Sequence, residues 1–417
     1  MRKSRRDFLA GMGGLAALGA VQGGGSSQLS SLREASSQPA VLPSRSDFAI
    51  PEDLTYLNSA FTHPMPIVAA QALRSYVDYR AEPGLALKQS VDIKSEFAAL
   101  INAKPSEISF VPNTSTGENL VVNGLGIPHS HENVVTDALH FEGALLHLGE
   151  LQQRNGLDLR IVQPRHWRID MRDMERAIDK RTKLVEISLV SMVNGFQHDL
   201  KAVCDLAHAH GAYVYADVMQ AVGATPIDVR ESDLDFCACS SYKWLMADFG
   251  LGFLFVKESL LDRMAACPQY GYFETQALTS HLLPSDPPGD TPYSWQLKTD
   301  AGGHFEVSTP AIGVMMALGQ SLPYIRALGV GKIQAYRQPM IKKLQDEMPR
   351  LGFEQLTPSN STSALLCFGL KGKDSRSILE RLRERKVHMR VGSNYLRISP
   401  SVFNNLGDID RLLEALA

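Results

Sequence analysis

Two ionisable residues, Asp217 and Lys243, each follow a run that is typical of a β-strand. Asp217 ends the apolar run 212–216, and Lys243 comes shortly after the run 235–239. A carboxylate at the carboxyl end of a parallel strand lies where α/β sheets bind ligands, although Asp is also a common helix N-cap. A lysine between aromatic residues at a strand exit is partly desolvated and nucleophilic, although many such lysines merely lie along the surface. Together the two groups predict a reaction centre built on an amine nucleophile and a carboxylate.

Pyridoxal 5′-phosphate (PLP) is a cofactor that needs both groups. Its aldehyde forms a Schiff base with a lysine, and a carboxylate keeps its pyridine nitrogen protonated so that the ring accepts electrons. We therefore predict that Lys243 carries PLP and that Asp217 pairs with the ring nitrogen. Gln220, one helical turn beyond Asp217, is the candidate partner of the ring hydroxyl.

The phosphate and the ring of such a cofactor each need a binding surface. Thr114 and Ser115 begin a helix-like run, and the N-terminus of a helix binds anions, although the same residues are also ordinary helix caps. Further phosphate donors are Ser240 and Tyr242, beside Lys243. For the ring face the candidates are His140 and Phe141, and a core position is the alternative for either one.

Strand-like and helix-like runs alternate through the middle of the chain, which predicts a mostly parallel α/β sheet covered on both faces. A smaller α+β unit follows a long helical region over 311–348. We predict a large domain over 46–305 and an interdomain helix with a small C-terminal domain over 306–417. The proline-rich region 267–303 is predicted to be one long irregular loop. The predicted strands are 133–136, 158–162, 183–189, 212–216, 234–239 and 252–256, and the helices between them are 143–154, 170–180 and 200–210.

Composition limits the classes of function. The chain has 417 residues, 44% of them hydrophobic, and a formal net charge of −3, which argues against a nucleic-acid surface. Its five cysteines match no zinc spacing, so no metal site is expected.

The N-terminal segment is typical of an export signal. Arg5 and Arg6 precede a short apolar run, as in a twin-arginine signal, and residues 1–45 are predicted to be signal and flexible tether. The apolar run is too short to span a bilayer comfortably, so no stable membrane insertion is expected. We expect the protein to be exported by the twin-arginine machinery to the periplasm or beyond.

The order of these motifs resembles the class V aminotransferases, a group of fold-type I PLP enzymes with isopenicillin N epimerase-like, cysteine desulfurase-like and kynureninase-like members. The likeness extends from about residue 55 to near the C-terminus. The motifs that carry it are Asn113-Thr-Ser-Thr-Gly117, His140-Phe141, Asp217-x-x-Gln-Ala-x-Gly223, Ser241-Tyr-Lys-Trp244 and Phe305-Glu-Val-Ser-Thr-Pro310.

The resemblance implies roles for further residues. It assigns Arg397 to the substrate carboxylate, which suits a bidentate guanidinium, although a surface strand arginine is the alternative. It places Asn58 on the substrate side of the site. It also implies that Ser308 and Thr309 reach the phosphate of a neighbouring subunit, which predicts a homodimer.

Two departures from the family pattern bear on the reaction. Met192 stands where many members have an asparagine near the ring hydroxyl, and Asn194 is the candidate replacement. The run 389–394 lacks the loop cysteine with which cysteine desulfurases accept sulfur, which argues against that activity. We expect an exported enzyme acting on an amino acid or a derivative, of epimerase, aminotransferase, or C–S or C–C lyase type. A non-catalytic binding protein is the alternative, against which Lys243, Asp217 and Arg397 argue.

Overall fold

The computed structural model describes residues 42, 44–82, 84, 91–129, 131–265, 275–306 and 309–417. The predicted signal and nearly all of its tether lie outside the described residues, as do Cys267 and Ser308. No helix in the described ranges is both long and apolar enough to cross a membrane.

Seven strands form the central sheet, in the order β2-β8-β7-β6-β5-β3-β4. All of them run in one direction except β8, which is antiparallel to both of its neighbours. Strands β7 and β8 are buried along their whole length, as expected for strands covered on both faces. The strands are β2 (Ile108–Val111), β3 (Asn133–Asp137), β4 (Asp158–Val162), β5 (Thr182–Ser188), β6 (Tyr213–Asp217), β7 (Phe236–Ser240) and β8 (Gly252–Val256).

The register of the parallel strands places the carboxyl ends of β5, β6 and β7 next to one another. Ser188 of β5 pairs with Asp217 of β6, and Asp217 pairs with Ala238 of β7. The carboxyl ends of three neighbouring strands therefore meet at one edge of the sheet, where open α/β sheets bind their ligands.

Helices cover both faces of this sheet and lead into the C-terminal part. The long helical region predicted over 311–348 is divided at Gly329, whose φ of +81° ends one helix and starts the next. The helices are α1 (Ile67–Ala81), α2 (Ile93–Ile101), α3 (Thr114–Gly124), α4 (Glu142–Asn155), α5 (Met171–Ala177), α6 (Leu200–Ala209), α7 (Ala301–Phe305), α8 (Ile312–Leu328), α9 (Val330–Arg350), α10 (Ser375–Glu384) and α11 (Leu406–Leu416).

A second, smaller sheet lies in the C-terminal part. Its antiparallel strands have the order β11-β12-β15-β14, and α9, α10 and α11 contribute to a hydrophobic core of their own around Leu344, Phe368 and Leu412. A separate parallel pair joins β1 near the N-terminal end of the described chain to β13. The strands are β1 (Thr55–Tyr56), β11 (Glu354–Gln355), β12 (Leu366–Gly369), β13 (Val387–His388), β14 (Arg390–Val391) and β15 (Tyr395–Ile398).

The prediction of a mostly parallel α/β sheet followed by a smaller α+β unit is confirmed. The predicted strands 158–162 and 252–256 coincide with β4 and β8, whereas β2 and the helices α1 and α2 had not been assigned. The domain boundary after residue 305 falls at the end of α7 and stays a prediction.

The prediction that 267–303 is one irregular loop was wrong within the described residues. An antiparallel hairpin joins β9 (Thr275–Ser280) to β10 (Tyr293–Leu297), and α7 follows it. The prolines at 284, 287, 288 and 292 all lie in the connection between the two strands, so none of them removes a backbone donor from the hairpin. The number of prolines therefore led to a wrong prediction of an irregular loop, because the prolines are confined to the connection between two strands.

Candidate active site

A cavity of about 570 Å³ opens at the carboxyl ends of β6 and β7. It brings together most of the site residues predicted from the sequence, although those residues come from segments more than 100 positions apart. The predicted residues that line it are Thr114, Ser115, Phe141, Asp217, Gln220, Ser240, Tyr242 and Lys243. The structure thus assembles these residues, while their individual roles stay predictions.

One end of the cavity is formed by the N-terminus of α3. The backbone N–H of Thr114 donates to Ser240 Oγ at 3.0 Å, and the Thr114 and Ser240 hydroxyls lie 3.1 Å apart. Asn113 caps the helix by accepting from Thr116 N at 2.9 Å. Gly117 lets the helix lie close to the sheet, because a Cβ there would lie 2.7 Å from Ala238 Cβ. Hydroxyl groups and a positive helix end at one place suit a phosphate.

Asp217 lies on the buried side of the cavity, at the end of β6. Its Oδ1 accepts from the backbone N–H of Met219 at 2.8 Å, which fixes the carboxylate in the turn that follows the strand. Burial raises the pKa of Asp217, and the charges of His140 and Lys243 oppose that rise. A buried carboxylate of this kind is suited to pairing with a protonated nitrogen.

Lys243 is held in a tight turn after β7. The Ser241 hydroxyl of that turn donates to Leu251 O at 2.7 Å, and the Lys243 Nζ lies 5.8 Å from the centre of the Tyr242 ring. Burial lowers the pKa of Lys243 to about 8, with the Arg397 charge acting in the same direction and the Asp217 carboxylate opposing it. The amine is therefore a far better nucleophile near neutral pH than an exposed lysine.

A glycine after Asp217 allows the two turns of the site to meet. Gly223 has a φ of +82°, and a Cβ at this position would lie 2.5 Å from the carbonyl oxygen of Trp244. Any other residue would push the turn after β6 away from the segment that carries Lys243. The spacing between the carboxylate and the amine depends on this contact.

His140 and Phe141, the two candidates for the ring face, have side chains in different places. Phe141 lines the cavity, whereas His140 is fully buried behind the wall. The His140 ring nitrogens contact Ser188 Oγ at 2.9 Å and Glu186 Oε1 at 3.4 Å. Of the two residues only Phe141 can reach a ring bound in the cavity, and its stacking on the cofactor stays a prediction.

Gln220 lines the cavity with its amide already engaged. Its Nε2 donates to Ala60 O at 3.0 Å, and its Oε1 accepts from Trp244 Nε1 at 2.9 Å. These bonds orient the side chain and tie the Lys243 turn to the segment near Asn58. The predicted bond from Gln220 to a ring hydroxyl stays a prediction.

The proposed replacement of a ring-hydroxyl partner by Asn194 was wrong, because its amide is used elsewhere. It donates to Trp167 O at 2.8 Å and to Leu356 O at 3.2 Å, and its Oδ1 accepts from Phe196 N at 3.0 Å. Met192, at the expected family position, does line the cavity.

Arg397 and Asn58 lie next to the cavity but not among the residues that line it. Arg397 donates from Nη1 to the carbonyl of Met192, a cavity residue, at 3.3 Å, and its buried Nε has no partner. Asn58 donates from Nδ2 toward His388 Nε2 at 3.4 Å, and its buried Oδ1 has no partner. Both side chains therefore retain hydrogen-bonding groups that a substrate can use.

Thr309 is not brought into the main cavity. It is exposed and lines a smaller neighbouring cavity of about 50 Å³, which shares Pro112 and Gly250 with the main one. Within one chain it does not contact Lys243 or Asp217, and its predicted partner Ser308 lies outside the described residues.

The sequence reasoning missed several residues of the cavity wall. Ser188 ends β5 next to Asp217, so the rule that found Asp217 also identifies it. Met219 accepts from Ser240 N at 3.1 Å through its sulfur, and nothing in its sequence context indicates that contact. Phe249 stacks on Tyr242 with ring centres 4.0 Å apart. The stacking partner comes from the loop before β8, which no motif connects with Lys243.

The donor set of this cavity fits PLP. A helix N-terminus with hydroxyls, an aromatic wall, a buried carboxylate and a buried amine of lowered pKa match the phosphate, the ring face, the pyridine nitrogen and the aldehyde of that cofactor. Metal chemistry has no comparable support in the described ranges, since no group of three or more His, Cys, Asp or Glu side chains suitable for a metal ion occurs there.

Lys243 should react with PLP at an unusually low pH. Since the neutral amine attacks the aldehyde, and burial lowers its pKa to about 8 from the ordinary 10.5, the rate of covalent attachment should rise with pH and level off above about 8. Stopped-flow absorbance of the cofactor-free protein mixed with PLP measures this rate. Borohydride reduction and peptide mass mapping should place the label on Lys243 and lose it in Lys243→Ala but not in Lys257→Ala. A midpoint near 10.5 would contradict the assignment.

Known proteins with related sequences and structures support this interpretation of the cavity. A family model described as aminotransferase class-V matches residues 56–410. A probable cysteine desulfurase of Methanothermobacter thermautotrophicus is 27% identical over 351 residues, covering 82% of this chain and 84% of that protein. The apo structure of a cysteine desulfurase from Thermococcus onnurineus superposes with a TM-score of 0.78 at 24% identity, covering 90% of this chain and 97% of that one.

A further solved structure has the same fold. It is the cystine C–S lyase C-DES in complex with its reaction product cysteine persulfide, with a TM-score of 0.74 at 19% identity over 88% of this chain and 97% of that one. A mutant of C-DES carries glycine covalently linked to its PLP cofactor. At these identities the likeness shows a shared fold-type I architecture.

The sequence argument against a cysteine desulfurase was wrong. Relatives that align over most of the chain are described as cysteine desulfurases, and the argument rested on one missing cysteine in the run 389–394. A C–S bond can also be cleaved by elimination, which uses the amine and the cofactor and needs no cysteine to attack the sulfur. The absence of that cysteine is therefore a poor guide to whether the bond is cleaved.

The family match covers far more than half of the chain, and the cavity holds the amine, carboxylate and helix N-terminus that the family's cofactor needs. This rules out the alternative of a non-catalytic binding protein. The chain belongs to the class V aminotransferase family and is a PLP-dependent enzyme.

Proposed function

We propose that this protein is a PLP-dependent C–S lyase related to the cysteine desulfurases, acting on cysteine or a related sulfur-containing amino acid. The observation that carries the proposal is the single cavity in which Lys243, with its lowered pKa, and Asp217 lie beside an anion-binding helix end. The relatives described as cysteine desulfurases supply the reaction class. A small amino acid suits a cavity of about 570 Å³ that is shared with the cofactor.

The cofactor and the residues of the chain have different roles in the proposed reaction. PLP, when bound, supplies an electron-accepting ring. Thr114, Ser115 and Ser240 would hold its phosphate, and the Asp217 carboxylate would pair with the protonated ring nitrogen at the opposite end. The Lys243 amine takes the proton from the α-carbon of the substrate, and a pKa of about 8 lets Nζ both accept and return that proton near neutral pH.

Arg397 is the residue we propose to hold the substrate carboxylate. Arg397 is 5% exposed, its Nε is unpaired, and its bond to the Met192 carbonyl is long at 3.3 Å. A carboxylate that replaced this carbonyl would gain a charge-assisted, bidentate pair. The unpaired Oδ1 of Asn58 is a second candidate contact, for the substrate amino group.

The sulfur leaves without help from a cysteine in the described part of the chain. Cys204, Cys237, Cys239 and Cys367 are all buried, and burial raises the pKa of Cys367 to about 12. A thiol of that pKa is a poor nucleophile. Elimination from cysteine needs no such thiol, because cysteine and water yield pyruvate, ammonium and hydrosulfide with release of one proton. Cystine and water likewise yield pyruvate, ammonium and cysteine persulfide.

The activity is tested directly with L-cysteine and L-cystine. The PLP-loaded protein should release sulfide or persulfide together with pyruvate and ammonium in equal amounts, measured by methylene blue, cyanolysis and a coupled lactate dehydrogenase assay. Lys243→Ala, loaded with the same cofactor, is the control and should lose the activity. Release of alanine in place of pyruvate would indicate that sulfur passes to an acceptor thiol. No sulfur release from either substrate would overturn the proposal.

Replacement of Arg397 by lysine should weaken substrate binding more than it slows turnover. The bidentate pair is worth about 1.5–3 kcal/mol, so Arg397→Lys should raise KM roughly 10- to 100-fold with a smaller change in kcat. Arg390→Lys is the matched control. Arg390 on β14 is the register partner of Arg397 on β15, but its side chain is exposed. Equal steady-state constants for the wild type and Arg397→Lys would show that the carboxylate binds elsewhere.

We propose that the active unit is a homodimer. The exposed Thr309 and the wall that its cavity shares with the main one support a site completed from a second subunit. Exposed apolar side chains on the β9–β10 hairpin, such as Leu278 and Trp295, suit an interface rather than solvent. Sedimentation equilibrium should give the mass of two chains, and Thr309→Ala should weaken PLP binding without dissociating the dimer. A single-chain mass at full PLP occupancy would contradict this proposal.

We also propose export by the twin-arginine route, on the basis of Arg5 and Arg6 and the short apolar run after them. That route carries folded proteins, which suits an enzyme that takes up PLP before export. Expression of the full chain in a bacterium with the pathway should place it in the periplasmic fraction, and the double change Arg5→Lys with Arg6→Lys should retain it in the cytoplasm. Equal distribution of both proteins would contradict the assignment.

A further inference from the structure

Three polar side chains lie side by side in the apolar face of the central sheet. Thr136, Glu186 and Tyr215 are register partners on β3, β5 and β6, and all are buried. Each has one oxygen without a hydrogen-bond partner, namely Thr136 Oγ1, Glu186 Oε2 and the Tyr215 hydroxyl. Leu184 and Leu254 belong to the hydrophobic cluster that includes Tyr215. A carboxylate in such surroundings is costly unless it is paired, so Glu186 needs an explanation.

The partner of Glu186 is His140. The His140 Nε2 lies 3.4 Å from Glu186 Oε1, and its Nδ1 lies 2.9 Å from the hydroxyl of Ser188, the register partner of Asp217. Burial by itself lowers the pKa of His140, but the contact with Glu186 and the nearby Asp217 carboxylate outweigh it, and the net pKa is raised. These contacts favour the protonated, cationic form of His140, which lies one layer beneath the cavity.

That cation acts on Asp217. Burial raises the pKa of Asp217, and among the charges that oppose this rise His140 contributes most, ahead of Lys243. The remaining charges that interact with His140 are Asp137, which His198 contacts at 3.1 Å, Glu118 and Glu186 itself. Without an imidazolium beneath it, Asp217 would be neutral over more of the pH range and would pair less well with a protonated ring nitrogen.

A second acid–imidazole pair links this layer to solvent. Glu118 of α3 is buried, and its pKa is raised to about 7 by burial and by the negative charge of Glu186. Its Oε1 lies 2.7 Å from Nδ1 of His147 on α4, whose side chain is 20% exposed. The His140–Glu186 pair and the His147–Glu118 pair therefore influence each other through the charges of the two carboxylates.

We propose that Glu186 is a positioning residue that keeps His140 protonated beneath Asp217, so that Asp217 stays ionised toward the cofactor. The role concerns cofactor electronics and does not depend on which substrate is cleaved. It also explains why a carboxylate is retained in an apolar layer of the sheet, where a leucine would fill the space without the cost of burying a charge.

The test is a pH titration of the histidine rings in the cofactor-free protein labelled with ¹³C at histidine Cε1. The His140 resonance, assigned with His140→Asn, should titrate above the ordinary value of 6.5 in the wild type. In Glu186→Gln, which keeps the shape and removes the charge, the midpoint should fall by about one unit or more. His208, which is paired with Asp235 on the opposite side of the fold, is the internal control and should not move. Glu186→Gln should also weaken PLP binding, measured by fluorescence, several-fold.

Either of two results would overturn the proposal. A wild-type His140 that titrates below 6.5 would show that Glu186 does not hold it as a cation, and this measurement requires no variant to fold. A folded Glu186→Gln protein with an unchanged His140 midpoint and unchanged PLP affinity would reduce Glu186 to a structural role. Failure of the C–S lyase assay leaves both readouts intact, so the two proposals are tested separately.

Discussion

Burial shifts the pKa values of the two charged groups of the site in opposite directions. The arrangement of the surrounding residues depends on this constraint. Burial lowers the pKa of Lys243 and raises that of Asp217, so each group is moved toward its neutral form. A neutral amine is useful as a nucleophile and base, whereas a neutral carboxyl group is a poor partner for a cationic ring nitrogen. The protein therefore needs a low-polarity pocket for one group and compensating charge for the other.

The backbone brings these groups together through contacts that tolerate little change. The register of β5, β6 and β7 aligns the strand ends, and the close approach of Gly117 to Ala238 holds the anion-binding end of α3 against the sheet. At Gly223 the turn after Asp217 meets the carbonyl of Trp244, next to Lys243. Close packing at these points fixes the distances between the site residues at the edge of the sheet.

The C-terminal part contributes through two arginines that are both deeply buried. Arg397 lies behind the cavity wall and adds positive charge near Lys243. Arg337 of α9 lies 5.5 Å from the Trp244 ring and donates to the carbonyl of Ala224, in the turn that follows Asp217. Both residues come from segments far along the chain, so the geometry and electrostatics of the lysine turn depend on the C-terminal part as well as on the sheet.

Local patterns in the sequence were enough to identify Asp217, Lys243 and the α3 N-terminus, because each is set by a strand end or a helix start and a few neighbouring residues. The alternation of strands and helices similarly determined a mostly parallel sheet. Tertiary structure alone decided that Phe141 faces the cavity while His140 faces Glu186, since two adjacent residues differ there only in which side of a turn they occupy. It also decided that the amide of Asn194 is used by distant backbone groups and that the prolines at 284, 287, 288 and 292 fall within the connection of a hairpin. Such outcomes depend on contacts between residues that are remote in sequence, and local sequence patterns do not identify those contacts.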